Sequence, residues 1–387
     1  MRAVAIIGIG QTKVDEHWDK SLRELTGEAV LAAVQDSGID QIEALYVGNM
    51  MSGSANHQQQ LGAYIADWVG LRYAEAAKIE SACSSGAAAF RAALLAISSG
   101  AIESAVAVGV EKMTDSPGPE ITADLATAAD ADWEQDQGVS FVALNALIMR
   151  RYMYEYGWQK NDFAPFSMNA HANAVHNPFA RFRKAITEKQ YLEAGMVADP
   201  INLMDASAIG DGSAAVVMVP LDKLNMDSPI PIIKVIGSAG ATDSIAIHDR
   251  KDPLWLKAAE ISSKKAYSQA GIGPQDIDVF ELHDAFSIMA ALSLEASGFA
   301  ERGKGPTLGL NGSILPSGKI PIATRGGLKA RGHPVGATGL YQLVEIVEQL
   351  RGTAIGTQVE NARIGMAQNI GGSGSNIYTH ILERVNR

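Results

Sequence analysis

One pattern occurs twice in these 387 residues and confines the chain to few architectures. Gly38-Ile39 leads into the apolar run Ala44-Leu45-Tyr46-Val47-Gly48, and far downstream Gly271-Ile272 leads into Ile277–Leu282. Cys83-Ser84-Ser85-Gly86 precedes a helical pattern closed by Gly100; His333-Pro334-Val335-Gly336 precedes one over 337–351 closed by Gly352. In both, glycine stands three residues after the reactive side chain. The letters differ but their order is kept, which marks an internal duplication of one α/β unit. The pattern predicts strands over 4–9, 44–48, 104–109 and 214–219, then 230–236, 277–282 and 363–367. Helices are predicted over 21–34, opened by the capping-box form Ser21-Leu22-Arg23-Glu24, and over 86–99, 254–270 and 337–351. Strands separated by helices make a sheet covered on both faces. The expected division is an N-terminal half (1–113 and 201–224), an inserted loop domain (114–200) and a C-terminal half (225–387), entered through the linker Asp227-Ser228-Pro229. The insertion, with helical stretches over 139–154 and 165–176, reads both as a cover for the sheet and as a wall of a substrate site.

Composition narrows the class. Glycine is plentiful (38 residues) and aromatics are few (6%), which suits close helix–strand packing better than a Trp-rich β-sandwich. A net charge of −11 argues against a nucleic-acid or anionic-membrane partner. The single cysteine excludes an internal disulfide and a thiolate metal cluster, and fits a cytoplasmic location. The apolar start, 3–8, is too short for a signal core, and no apolar run approaches a membrane span. No His/Asp/Glu group has ligand spacing, so no metal is expected. Gly8-Ile9-Gly10 is followed by Lys13 where a dinucleotide fingerprint would carry glycine.

The lone thiol, Cys83, stands at or just before a helix N-terminus, where unpaired N–H groups and the helix dipole favour an anion. A thiolate there would have a lowered pKa and serve as a nucleophile. A small buried hydrophobe is the other reading, and position alone leaves it open. The duplication puts His333 at the corresponding point of the second half. A two-fold arrangement would then bring thiol and imidazole together, and a neutral imidazole is the base that acyl transfer through a thioester needs. His283 comes at the end of a predicted strand, where α/β sites collect their residues. Asn369-Ile370-Gly371-Gly372-Ser373-Gly374 reads as a glycine-rich turn whose N–H groups can hold an oxyanion.

At these residues the chain resembles the thiolase superfamily, in particular its archaeal-type and sterol-carrier-protein-type members. Cys83-Ser84-Ser85-Gly86, the turn Asp211-Gly212-Ser213-Ala214-Ala215, His283-Asp284-Ala285-Phe286, Gly332-His333-Pro334 and the closing Gly-rich loop stand in family order. Supporting stretches are His171-Ala172-Asn173, Asn177-Pro178-Phe179-Ala180 and 326–334. The resemblance implies a five-layer αβαβα sandwich with an inserted loop domain. It implies an acyl-CoA C-acyltransferase, most simply one joining two acetyl-CoA or cleaving acetoacetyl-CoA through an acyl-Cys83 intermediate. His333 and His283 would complete the catalytic set, with backbone N–H groups of Cys83, Gly371, Gly372 and Gly374 as the oxyanion hole. Substrate contacts are expected at Arg181, Arg183, Lys184, Ser207 and Asn369. The substrates would be coenzyme A thioesters, with no bound cofactor. The partners it suggests are a second or further copies (homodimer or homotetramer), a small OB-fold zinc-ribbon protein and hydroxymethylglutaryl-CoA synthase.

The chain departs from many thiolases in having no second cysteine: Asn369 and Ala285 occupy the two places where one occurs. The resulting Cys–His–His set is similar to that of decarboxylating ketosynthases. Other readings are therefore cleavage of a larger 3-oxoacyl-CoA, decarboxylative chemistry, and a silent acyl-binding scaffold. The presence of all three reactive side chains speaks against the last.

Overall fold

The computed structural model describes residues 2–227 and 230–385. Ser228 and Pro229 of the expected linker lie outside that range. Nine strands form one continuous mixed sheet: β1 (Val4–Gln11), β2 (Ala44–Gly48), β3 (Glu75–Ile79), β4 (Ala105–Glu111), β5 (Gly212–Pro220), β6 (Ile233–Thr242), β7 (Val279–Glu281), β8 (Ile364–Gly371) and β9 (Asn376–Arg384). Their order is β3-β2-β4-β5-β1-β6-β9-β8-β7.

The order is a palindrome in structural terms. From the centre outward, β1 pairs antiparallel with β5, β5 antiparallel with β4, β4 parallel with β2, and β2 parallel with β3. In the other direction β6 pairs antiparallel with β9, β9 antiparallel with β8, and β8 parallel with β7. A parallel bridge from Phe280 to Ile322 stands where β3 stands in the first half. The halves join through two antiparallel residue pairs, Ala5 with Lys234 and Ile6 with Ile233.

The helices give the layers. They are α1 (Leu22–Ser37), α2 (Ser85–Ser99), α3 (Phe141–Tyr156), α4 (Lys257–Ala270), α5 (Ser287–Ala296) and α6 (Thr338–Arg351). Alternate residues of each buried strand feed opposite cores, as the two-residue period of a strand requires. Val106, Val108, Ala215 and Val217 pack under Leu25, Ala29, Val30 and Ala33 of α1. Ala105, Ala107, Val216 and Met218 face the other way, against Phe90 and Ile97 of α2 and Leu340, Leu343 and Val347 of α6. That central core also takes Val279, Ala367 and Leu382 from the second half, whereas Phe280, Met366 and Ile381 face α4 and α5. The result is five layers: α1, sheet, α2 with α6, sheet, α4 with α5.

Several expectations shift. Asp211-Gly212 is not a turn: Asp211 bridges to Asp15, and Gly212 opens β5. Residues 369–371 belong to β8, so the turn proper lies at Gly372–Ser375. The stretch Ala82–Ser99 is, contrary to expectation, long and apolar enough to cross a membrane by length and composition. Its apolar face instead fills the central core between the half-sheets. The capping box on α1 forms as expected, Ser21 accepting from the Glu24 N–H while Glu24 accepts from the Ser21 N–H.

Glycines set how closely α2 and α6 cross. A Cβ on Gly86 would meet the Gly336 carbonyl and the Leu340 side chain at 2.8 Å, and one on Gly339 would meet the Ala87 nitrogen at 2.5 Å. Gly339→Ala is therefore expected to push the two N-termini apart and cost about 1–3 kcal/mol by overpacking. Denaturant unfolding measures this, and a variant as stable as the parent would show that the contact is not limiting.

Candidate active site

The Cys83 turn is built by its own serines. Ala82–Ser84 form one 3₁₀ turn running into α2. The Ser85 hydroxyl donates to the Ala82 carbonyl (2.6 Å) and accepts from the Ser81 N–H (2.9 Å), and the Ser84 hydroxyl donates to the Ser81 carbonyl (2.7 Å). Ala82 is held at φ +47°, a left-handed conformation costly for a residue with a Cβ. The turn presents the Cys83 thiol to a cavity of about 130 Å3.

His333 and His283 line the same cavity. The three potential ligand atoms of Cys83, His283 and His333 lie within 4.8 Å of one another, and the imidazoles meet edge to face with centroids 5.2 Å apart. Sequence separations of 200 and 50 residues thus collapse into one cluster. The loops after β7 and before α6 deliver the imidazoles, and the 3₁₀ turn before α2 delivers the thiol.

Hydrogen bonds behind the rings separate the two histidines. The His283 Nδ1 lies 3.0 Å from the Asn369 amide nitrogen and 3.4 Å from the backbone N–H of Ile370. A backbone N–H can only donate, so Nδ1 accepts and the ring proton is assigned to Nε2. His283 therefore offers the cavity an N–H donor. The His333 Nδ1 lies 2.6 Å from the Thr338 hydroxyl, which donates onward to the Pro334 carbonyl (3.4 Å). This pattern assigns the His333 proton to Nδ1 and leaves Nε2 as a lone pair. One imidazole is arranged to give a hydrogen bond, the other to take a proton. The same tautomer bears on metal binding. The cluster has a spacing that the sequence did not reveal, but a protonated Nε2 on His283 has no lone pair for an ion.

Burial of the reactive groups works against one expectation, a standing thiolate at Cys83. Burial pushes the Cys83 thiol up to about 12; the Gly372 N–H works in the opposite direction, and the Glu111 charge adds to the rise. The helix N-terminus does not outweigh desolvation. Burial also lowers His333 to about 3 and holds His283 well below its usual range, with Arg331 adding to both. Burial thus favours a neutral thiol beside a neutral imidazole at rest.

Among the glycines expected as oxyanion donors, Gly372 directs its N–H to the Cys83 sulfur, beside the N–H of Cys83 itself. Gly374 does not share that role, because its N–H donates to the Gly371 carbonyl (3.2 Å). Gly371 lies in the ladder opposite Asn376. Asn369 stands behind His283 rather than in the cavity wall. Ser207 lines the cavity; Arg181, Arg183 and Lys184 do not. Arg181 instead pairs with Glu16, and the Lys184 carbonyl holds the His171 ring (3.0 Å).

The remaining wall was not identified from sequence. It comprises Leu125, Phe141, Val142 and Asn145 from the insertion, with Phe286, Met289 and Ile370. Phe141, Val142 and Asn145 share one face of α3, and that spacing was the available signal.

A duplicated α/β fold that assembles one thiol and two imidazoles between its halves defines a class of enzymes, the thioester-handling acyltransferases. The family model for the Thiolase, N-terminal domain matches residues 4–222, and that for the Thiolase C-terminal domain-like family matches 239–384. An acetyl-CoA acetyltransferase of Methanothermobacter thermautotrophicus is 44% identical over 99% of this chain and 100% of its own length. A benzoylsuccinyl-CoA thiolase subunit of Thauera aromatica is 32% identical over 96% of this chain and 95% of its own. The solved Ltp2-ChsH2(DUF35) aldolase shares the fold at a TM-score of 0.85 and 24% identity, over 99% of this chain and 98% of that one. The chain belongs to the thiolase family.

A neutral resting pair has a measurable signature. The rate of Cys83 alkylation by iodoacetamide is expected to climb about tenfold per pH unit from about pH 6 to about pH 9, because thiolate is scarce throughout that window. A plateau below about pH 8 would instead reveal a preformed thiolate–imidazolium pair.

Proposed function

We propose that the protein is an acetyl-CoA C-acetyltransferase that forms or cleaves acetoacetyl-CoA through acetyl-Cys83. The carrying observation is the split of the imidazoles, one an acceptor and one a donor, beside a thiol in a cavity of about 130 Å3. The cavity's largely apolar lining, Leu125, Phe141, Val142 and Met289 among it, suits an acyl chain. The M. thermautotrophicus relative carries the same activity in its name.

The steps follow from the tautomers. The Cys83 sulfur attacks the thioester carbonyl of acetyl-CoA while its proton passes to the His333 Nε2. The N–H groups of Cys83 and Gly372 hold the resulting oxyanion. Collapse breaks the bond to the CoA sulfur, which leaves with the proton from His333. A second acetyl-CoA then places its thioester oxygen on the His283 Nε2–H. His333, neutral again, removes the α-proton, and the enolate carbon attacks the acetyl-Cys83 carbonyl. The Cys83 thiolate leaves and recovers its proton from His333. His333 thus acts at both stages, which answers the missing second thiol. Every step uses groups of the chain and its CoA substrates, with no bound cofactor.

The decarboxylative alternative has less support here. Among the described residues no lysine or arginine lines the cavity to hold a substrate carboxylate. The substrate contacts we assign are Ser207 in the wall, with Arg183 and Lys184 farther out toward the CoA phosphates. The single free cysteine suits a reducing compartment, and we place the enzyme in the cytoplasm. We infer a homodimer or homotetramer: β3 is a sheet edge with no strand on its outer side among the described residues, and such edges invite pairing. The Ltp2-ChsH2(DUF35) assembly is the precedent for a further protein partner. The OB-fold zinc-ribbon protein and hydroxymethylglutaryl-CoA synthase are the candidates.

Mass spectrometry after incubation with acetyl-CoA tests the chemistry. Wild type should gain one acetyl group on Cys83, and Cys83→Ala none. His283→Ala should still acylate within about tenfold but lose condensation by about 100-fold or more, as expected for loss of an oxyanion donor. His333→Ala should lose both steps. No acetyl group on wild-type Cys83 would overturn the reading, and equal loss of both steps in His283→Ala would remove that residue from the enolate role.

A further inference from the structure

The Gly372 N–H can serve the oxyanion only if the turn that carries it is fixed, and the turn's own bonds do not fix it from outside. Within it, the Gly371 carbonyl accepts from the N–H groups of Gly374 and Ser375 (3.2 Å each). Gly372 (φ +59°) and Gly374 (φ +110°) both take positive-φ conformations that glycine adopts readily and other residues rarely do. The carbonyl of Ser373, between them, is met by a buried charge. Arg250, 6% exposed, donates from Nη1 to that carbonyl at 2.8 Å and from Nε to the Ser244 carbonyl at 3.3 Å.

We propose that Arg250 is the positioning residue of the oxyanion turn: its guanidinium clamps the Ser373 carbonyl and so holds the Gly372 N–H on the reacting centre. The inference rests on the reading of Cys83 as an acyl carrier. Three further observations support it. Arg250 reaches neither Cys83 nor the cavity wall, so it acts through the turn alone. A Cβ on Gly374 would lie 3.4 Å from the Arg250 Nη1 and 2.8 Å from the Leu256 side chain, so the turn is glycine where the clamp packs on it. The segment bearing Arg250 is itself anchored: the Asp243 N–H donates to the Ser375 carbonyl (2.9 Å), and the Ile247 N–H donates to the buried Glu134 carboxylate of the insertion (2.8 Å). Burial lowers the Arg250 pKa, while the charges of Asp243 and Glu134 support its protonated form. Arginine remains charged under all working conditions, and a charged donor makes a stronger clamp than a neutral one. A fork spanning two carbonyls also fixes direction, which a single ammonium does not.

The test compares wild type, Arg250→Met and Arg250→Lys after loading with [1-13C]acetyl-CoA. Mass spectrometry first scores acetyl-Cys83; if wild type never labels, the functional reading fails before Arg250 is in question. In labelled protein the infrared stretch of the 13C thioester carbonyl reports directly on hydrogen bonding at the oxyanion position. Wild type should show a shift to lower frequency than a free acetyl thioester, and Arg250→Met should lose most of it. kcat should fall about 10- to 100-fold, less than the full loss of an oxyanion donor, with KM for acetyl-CoA within about threefold. Arg250→Lys should recover part of the shift and part of kcat. A loss of fold alone would not move the carbonyl frequency of the folded, labelled fraction. Wild-type frequency and kcat in Arg250→Met overturn the proposal. If Arg250→Met does not fold, wild-type frequency and kcat in Arg250→Lys overturn it instead, since one ammonium would then do all that the fork does.

Discussion

The close crossing of α2 and α6 at their N-termini is the constraint on which the rest depends. Each half of the duplication contributes one helix to the central layer, and each helix begins at a reactive residue. Chemistry follows only if the two starts touch. Three glycines permit it, since side chains at Gly86, Gly336 or Gly339 would lie 2.5–2.8 Å from atoms of the facing segment or of Glu111. Glu111, buried at the end of β4, then ties the approach together. Its carboxylate accepts from the N–H groups of Met50 (3.0 Å), Met51 (3.0 Å) and Gly336 (2.9 Å), and from the Asn49 amide (2.8 Å). One carboxylate thus joins the first half to the loop that carries His333. The strands of the two halves themselves meet in only two residue pairs, between β1 and β6.

Burial sets the electrostatics. The site is lined almost wholly by apolar groups, so every charge there would be costly. Thiol and imidazoles are each pushed toward their neutral forms. Desolvation works against the thiolate that a helix N-terminus favours. The enzyme does not need a standing thiolate. In the proposed mechanism a proton leaves Cys83 only as the carbonyl is attacked, when negative charge moves to an oxygen that two N–H groups await. The negative charge then appears where donors are already placed, which is the condition for electrostatic catalysis without reorganisation.

Much of this was legible in the sequence. The repeated Gly-Ile lead-ins, and the glycine three residues after Cys83 and after His333, carried the two-fold plan, because backbone turns and close helix contacts demand particular residues at particular steps. Their order also gathered Cys83, His283 and His333. The failures share a cause, which is that burial is decided by the whole fold. Even the carboxylates Glu345 and Glu348 are enclosed with α6, where they face Arg331 (2.8 Å) and Arg325 (3.1 Å) from the loop before it. Asn369 looked like a substrate contact because of its place in a motif, but its amide faces His283. Arg181 looked free for a phosphate, but Glu16, 165 residues away, takes it. The cavity wall from α3 was hidden because the insertion has no counterpart in the duplication, so no second copy marked its positions.

The lone cysteine takes its meaning from these constraints. A thiolase-type condensation moves two protons, one from the nucleophile and one from the α-carbon. Two bases could share the work, but this cavity offers one lone pair. The His283 Nδ1 faces a backbone N–H, an arrangement that side-chain rotation of its neighbours does not reverse, so its outward nitrogen is a donor throughout the cycle. The two demands on His333 do not collide, because they fall at different times: once Cys83 is acylated it has no proton to give, and His333 is free. Sequential use of one base requires that CoA leave with the first proton before the second substrate is deprotonated. In the proposed mechanism the order of events thus follows from a hydrogen bond on the far side of the neighbouring ring.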